Sequence, residues 1–154
     1  FYGWLLVSSR TGAGGMIRQD AWNALGQPDH FVRYAVDGVW TPWEYVNPPM
    51  QLGVEYRTVE RYNGKPVYVK AINFGALPNN TNKSVEHGVA DMGVCFELFG
   101  SSSPNSDPST GKNLIGDNIV AGFYRAGTVI YIGSNVNFSS SSAIVVMKYT
   151  KTTD

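Results

Sequence analysis

The chain has 154 residues and a formal net charge of zero; 43% of its residues are hydrophobic and 16% charged. That balance excludes a disordered polypeptide, and the length suits one domain or two small ones. No Lys/Arg cluster gives the footprint of a nucleic-acid binder and no apolar run approaches the ~18 residues of a membrane span, so neither nucleic acid nor membrane insertion is expected.

Aromatic residues at 13%, with 17 Gly and eight Pro, favour strands and turns over helices. A start on Phe1 rather than Met reads as a piece of a longer protein. Cys95 stands alone and is expected to be a small buried hydrophobe.

Residues 2–9 (YGWLLVSS) read as a buried strand and residues 11–15 (TGAGG) as a loop. Residues 16–25 have no clean face at either period and are read as a strand, because no cap supports a helix. After the turn chemistry of residues 26–29 (GQPD), residues 30–36 alternate as a strand. Asp37-Gly38 then signals a tight hairpin into residues 39–46 (VWTPWEYV), where Pro42 points to an edge or a bulge. The NPPM segment, residues 47–50, is the best linker, and a domain boundary is expected there.

The strongest local signal lies in residues 55–75 (EYRTVERYNGKPVYVKAINFG). Two β-rich runs flank Asn63-Gly64, the pair that suits a two-residue turn needing positive φ at both central positions. Extending that register without interruption puts Tyr56 opposite Ala71, Thr58 opposite Val69 and Glu60 opposite Val67, which with Val54 form the expected core face. The other parity sets Arg57 opposite Lys70. Like charges across a pair are unfavourable, so this face should be wet, relieved by Glu55 and Glu60 nearby, or should meet a carboxylate.

Residues 76–83 read as a loop. Residues 84–99 should hold two strands broken at Gly88 and Gly93, the second (VCFELF) nearly all buried. Residues 100–112 (GSSSPNSDPSTGK) are low in complexity and read as a long loop. A hairpin over residues 119–132 should turn at residues 125–128. After an Asn/Ser-rich loop, residues 143–150 (AIVVMKYT) form the last strand, with Val145, Met147 and Tyr149 on one face. The whole reads as all-β, an antiparallel sandwich with almost no helix.

The inventory gives little to catalysis. His30 and His87 have no close second His or Cys, so no metal site is expected, and TGAGG lacks the spacing of a phosphate cradle. Asp91 with Glu97, or Asp117 alone, could be offered as glycosidase carboxylates but carry no signal beyond their presence. No catalytic residue and no cofactor are expected.

Two stretches resemble phage tail proteins. Residues 1–46, through Gly38, Trp40 and Trp43 of GVWTPWEYV, resemble the end of a pyocin-knob domain, and the resemblance implies that the Trp pair is largely structural. From Gly53 onward, YNGKPVYVKAINFGALPN, KSVEHGV with His87 and Gly88, and the closing YTKTTD (149–154) resemble C-terminal heads of tail fibres and receptor-binding proteins. The resemblance implies a partial knob-like module over residues 1–48 and a receptor-binding head over 49–154. It further implies a homotrimer at the distal tail fibre of a virion that binds a bacterial surface polysaccharide or other envelope receptor without enzymatic action. Alternatives are a polysaccharide depolymerase tip and a purely structural trimerisation module. Asn79, Asn80, Asp117, Asn118, Tyr124 and Arg125 are the expected ligand contacts in a loop set at one end of the sandwich: amide and carboxylate groups for sugar hydroxyls, Tyr124 for stacking, Arg125 for an anionic group.

Overall fold

The computed structural model describes residues 3–10, 15–24, 29–107, 109, 112–114 and 123–154. Among them there are thirteen strands and no helix. The N-terminal part holds β1 (Gly3–Arg10), β2 (Met16–Asn23), β3 (His30–Val36), β4 (Val39–Trp40) and β5 (Glu44–Tyr45). The central hairpin is β6 (Glu55–Tyr62) and β7 (Lys65–Ala76). There follow β8 (Asn82–Glu86), β9 (Met92–Pro104), β10 (Lys112–Asn113), β11 (Phe123–Ala126), β12 (Val129–Gly133) and β13 (Ser141–Lys151).

Ten of these strands share one sheet in the order β1-β2-β3-β5-β6-β7-β13-β9-β10, with β4 paired to β3; the other three form a sheet ordered β11-β12-β8. All pairs are antiparallel except β5 with β6, which meet in parallel at Tyr45 and Thr58. The core lies between the two sheets. It joins Tyr68, Ile72 and Phe74 of β7 and Ala143, Val145, Met147 and Tyr149 of β13 to Ile130 and Ile132 of β12, with Leu77, Val89 and Leu114 from connecting segments. Val145, Met147 and Tyr149 share the buried face that their alternation in sequence predicts. Gly100 belongs to this packing. A Cβ there would stand 2.4 Å from Leu114 Cδ1 and 2.8 Å from the Ile144 carbonyl oxygen.

The Asn63-Gly64 turn forms as expected, with φ of 49° and 78°. Beyond it the register departs from simple extension. Tyr62 pairs Lys65 and Arg61 pairs Pro66, but the next pair is Arg57 with Tyr68, so residues 58–60 oppose only Val67. The Thr58 hydroxyl closes this bulge by donating to the Val67 carbonyl at 2.9 Å and accepting the Glu60 N–H at 3.2 Å. A shift of two residues preserves parity, so Tyr56, Thr58, Val67, Val69 and Ala71 are buried, while Val54 and Glu60 are exposed. Tyr56 faces Val69 rather than Ala71, and the Arg57–Lys70 clash does not arise: Lys70 faces Glu55.

Four other expectations are corrected. β1 is a strand but not a buried one: it is the sheet edge, and all eight of its residues are exposed. Residues 39–46 split into β4 and β5, because Pro42 has no N–H for the ladder. Residues 94–99 are half-buried or exposed, with Val94 and Phe99 facing outward, and Cys95 is only partly buried against the core. Residues 101–104, expected in a loop, continue β9, because Ser101–Pro104 pair along the β13 residues Ser141–Ile144.

Candidate functional site

The face of Arg57 is neither wet nor repelled. Glu44, buried on β5, accepts from Arg57 Nε at 3.1 Å and from Arg61 Nη2 at 2.8 Å. Arg57 Nη1 donates to the Tyr68 hydroxyl at 2.9 Å and to Asp154 Oδ1 at 2.8 Å, and Tyr68 donates to Asp154 Oδ2. Of the two alternatives, a wet face or a carboxylate, the second holds, and the carboxylates come from this chain itself. Burial would lower the Arg57 pKa, but hydrogen bonds to Asp154, Tyr68 and Glu44 raise it overall.

The closing YTKTTD joins the same clasp. Tyr149 donates to Glu55 Oε2 at 2.5 Å, and Lys151 Nζ meets Glu55 Oε1 at 2.5 Å. Burial first, and then the Glu55 carboxylate, push the Tyr149 pKa far up, so this phenol stays a hydrogen-bond donor. Thr150 is buried and its hydroxyl accepts the Val94 N–H at 3.2 Å. His87 is also fastened: Nδ1 accepts the Val89 N–H at 3.2 Å, which leaves Nε2 to donate to the Gly127 carbonyl at 2.9 Å. These contacts stitch segments together.

Of the expected ligand residues that the structure describes, Asn79 and Asn80 do not share a loop with Tyr124 and Arg125. Asn79 makes an isolated bridge with Asn137, and Asn80, at φ 49°, donates its N–H to the Val136 carbonyl; both are exposed. They lie beyond the end of the three-stranded sheet where Asn82 pairs Gly133. Tyr124 and Arg125 belong to β11 rather than to a loop, opposite Tyr131 and Ile130, and Arg125 is nearer the Gly127-Thr128 turn at the other end. Asp117 and Asn118 lie outside the described residues.

A concave surface lies on the N-terminal strands of the ten-stranded sheet. Register rows bring Leu5, Ala21 and Phe31 side by side, with Val7, Gln19 and Arg33 in the next row. The Asp37-Gly38 turn returns the chain so that Trp40 pairs Ala35, two residues along β3 from Arg33. Arg33 Cζ lies 4.3 Å from the Trp40 ring centroid and 4.4 Å from that of Trp43, and Nε donates to Gln19 Oε1 at 2.8 Å. Each cation–π contact of this kind is worth about 0.5–2 kcal/mol. Gly3, Leu5, Gln19, Ala21, Phe31, Arg33 and Trp43 line a groove of about 450 Å³. Trp40 and Trp43 keep 38% and 36% of their surface exposed, so the pair has free area as well as a structural contact. Phe31 continues the aromatic face to Tyr45, 4.5 Å between centroids, and Tyr45 to Tyr56 at 4.9 Å. Sequence reasoning passed over this groove, although the hairpin register from Asp37-Gly38 already sets Trp40 diagonal to Arg33.

No protein-family model and no curated protein matches the chain. Two solved structures are similar. One is an N-truncated R2-type pyocin tail fibre, at 12% identity and a TM-score of 0.35, covering 96% of this chain and 81% of that one. The other is the P. aeruginosa R1 pyocin fibre in a C-terminal fragment, at 10% identity and a TM-score of 0.29, covering 96% of this chain and 56% of that one. Similarity at this level assigns no residue a role.

Proposed function

We propose that the chain is an attachment module of a phage-type tail fibre, a non-enzymatic homotrimer at the distal fibre that binds a bacterial surface glycan. The observation that carries this reading is the groove lined by Leu5, Phe31, Arg33 and Trp43, with Trp40 against the same guanidinium. Its volume is in the range of small-ligand sites, and flat apolar rings with a few fixed polar groups suit the faces and hydroxyls of a sugar. The motifs in GVWTPWEYV and YTKTTD support the tail-fibre assignment by resemblance. Trp4 and Leu6, on the β1 face opposite the groove, offer apolar area to neighbouring subunits.

The test is binding of the purified chain to lipopolysaccharide, capsule and teichoic acid preparations. Trp43→Ala should weaken binding about tenfold or more, as loss of an aromatic anchor does. Equal binding by Trp43→Ala, or none by the parent chain to any preparation, would remove the reading. Release of reducing sugar would favour a depolymerase instead. Light scattering tests the assembly, where the trimer should dissociate in Trp4→Glu/Leu6→Glu.

A further inference from the structure

The groove holds an arginine with no carboxylate partner among the described residues. Arg18 is paired with Asp20, Arg57 with Glu44 and Asp154, and Arg61 with Glu44. Among the described residues, Arg33 has one polar contact, Nε to Gln19, and two indoles against its guanidinium. An amide carbonyl does not neutralise a cation, and the Gln19 contact occupies only the Nε edge. Fixed by three side chains, the guanidinium loses little further freedom when its Nη groups donate to an anion, the geometry in which arginine reads a carboxylate or phosphate in a paired fashion. The surrounding wall of Leu5, Ala21, Phe31 and Trp43 is apolar, which lowers the local dielectric and strengthens such a contact.

From this we infer that the groove selects a saccharide unit bearing an anionic group. Trp43 packs on the ring and Arg33 takes the charge, so Arg33 is the specificity-determining residue. This rests on the glycan-binding reading above and adds the charge of the sugar to it. Carboxylate and phosphate share the chemistry, and the choice between them is an outcome of the test.

The experiment titrates the full chain with oligogalacturonate, with its fully methyl-esterified form and with glycerol-phosphate oligomer, by calorimetry and tryptophan fluorescence at fixed ionic strength. At least one anionic probe should bind about tenfold or more tighter than the neutral ester, since a charge-assisted hydrogen bond is roughly twice as strong as a neutral one. Arg33→Met, which preserves much of the stem packing, should erase that preference, and Arg33→Lys should restore only part of it. Arg10→Gln, an exposed β1 arginine outside the groove, should leave it intact. A thermal melt of each variant separates lost binding from lost folding. Equal affinity of both anionic probes and the ester would overturn the anionic inference and leave glycan binding standing. Binding of none of the three would overturn the anionic inference, and the lipopolysaccharide, capsule and teichoic acid preparations then decide the glycan-binding reading separately.

Discussion

The N-terminal strands of the ten-stranded sheet and the sandwich around β7, β12 and β13 use their apolar residues in opposite ways. In the sandwich, β7, β13 and β12 close over a core in which Val145, Met147, Tyr149, Ile130 and Ile132 have no solvent contact. In the N-terminal part, β1 to β5 form a single layer, and the buried hydrophobic residues are small: Ala21, Val32 and Ala35. Trp4, Leu5, Leu6 and Val7 are all exposed, Trp4 to 72%. A sheet becomes stable by burying at least one face against another layer. The contrast teaches that the described core of this chain is concentrated around β7, β12 and β13, while β1 leaves its apolar side chains exposed. The two regions are joined through the Glu44–Arg57–Asp154 clasp.

The clasp gives the sharpest way to break that comparison. Glu44→Gln should cost about 3–4 kcal/mol in urea unfolding, because Arg61 loses its carboxylate and Arg57 loses the buried one of its two, keeping only Asp154. A loss below about 1 kcal/mol would mean that the halves do not depend on this contact. Next in size, Ile130→Ala should cost about 3 kcal/mol through a cavity in the sandwich core, while Leu6→Ala on the monomer should stay within about 0.5 kcal/mol. Similar costs at the two positions would erase the distinction between the regions.

The smallest effect is acid sensitivity, which each half carries separately. Paired hydrogen bonds from Arg18 hold the Asp20 carboxyl below the ordinary range against the opposing effect of burial, and His30 adds to them. For Asp154 burial pushes upward, but hydrogen bonds from Tyr68 and Arg57 outweigh it and the net direction is down. A lowered folded pKa means stability that is present above the unfolded carboxylate pKa of about 3.9 and lost as pH falls through the folded value. Urea midpoints should therefore hold steady at mildly acidic pH and decline below about pH 4. Asp20→Asn/Asp154→Asn should flatten that decline. Trp22, stacked on His30 at 4.6 Å, reports the N-terminal half by fluorescence. An unchanged acid limb in the double variant would count against both assignments.

Much of the fold was legible because its signals are local. Asp37-Gly38 and Asn63-Gly64 both adopt the positive φ that their turns require. The alternation of Val145, Met147 and Tyr149 needs only the two-residue period of a strand. The register of β6 against β7 was not legible, since nothing in VERY announces that residues 58–60 oppose a single residue. The candidate site escaped for the same reason. Gln19, Arg33 and Trp43 lie far apart in sequence, and the polar residues around Asn79 and Arg125 look more like a sugar site when read along the chain.

By itself the sequence determined the strands, the turns and the all-β class, because period, turn chemistry and β-propensity act over a few neighbouring residues. Tertiary structure alone decided which strands are covered, which carboxylate answers Arg57, and that Arg33 stands between two indoles with no carboxylate partner among the described residues. Burial and charge pairing depend on residues brought together from distant parts of the chain: Glu44 and Asp154 reach Arg57 from opposite sides in sequence.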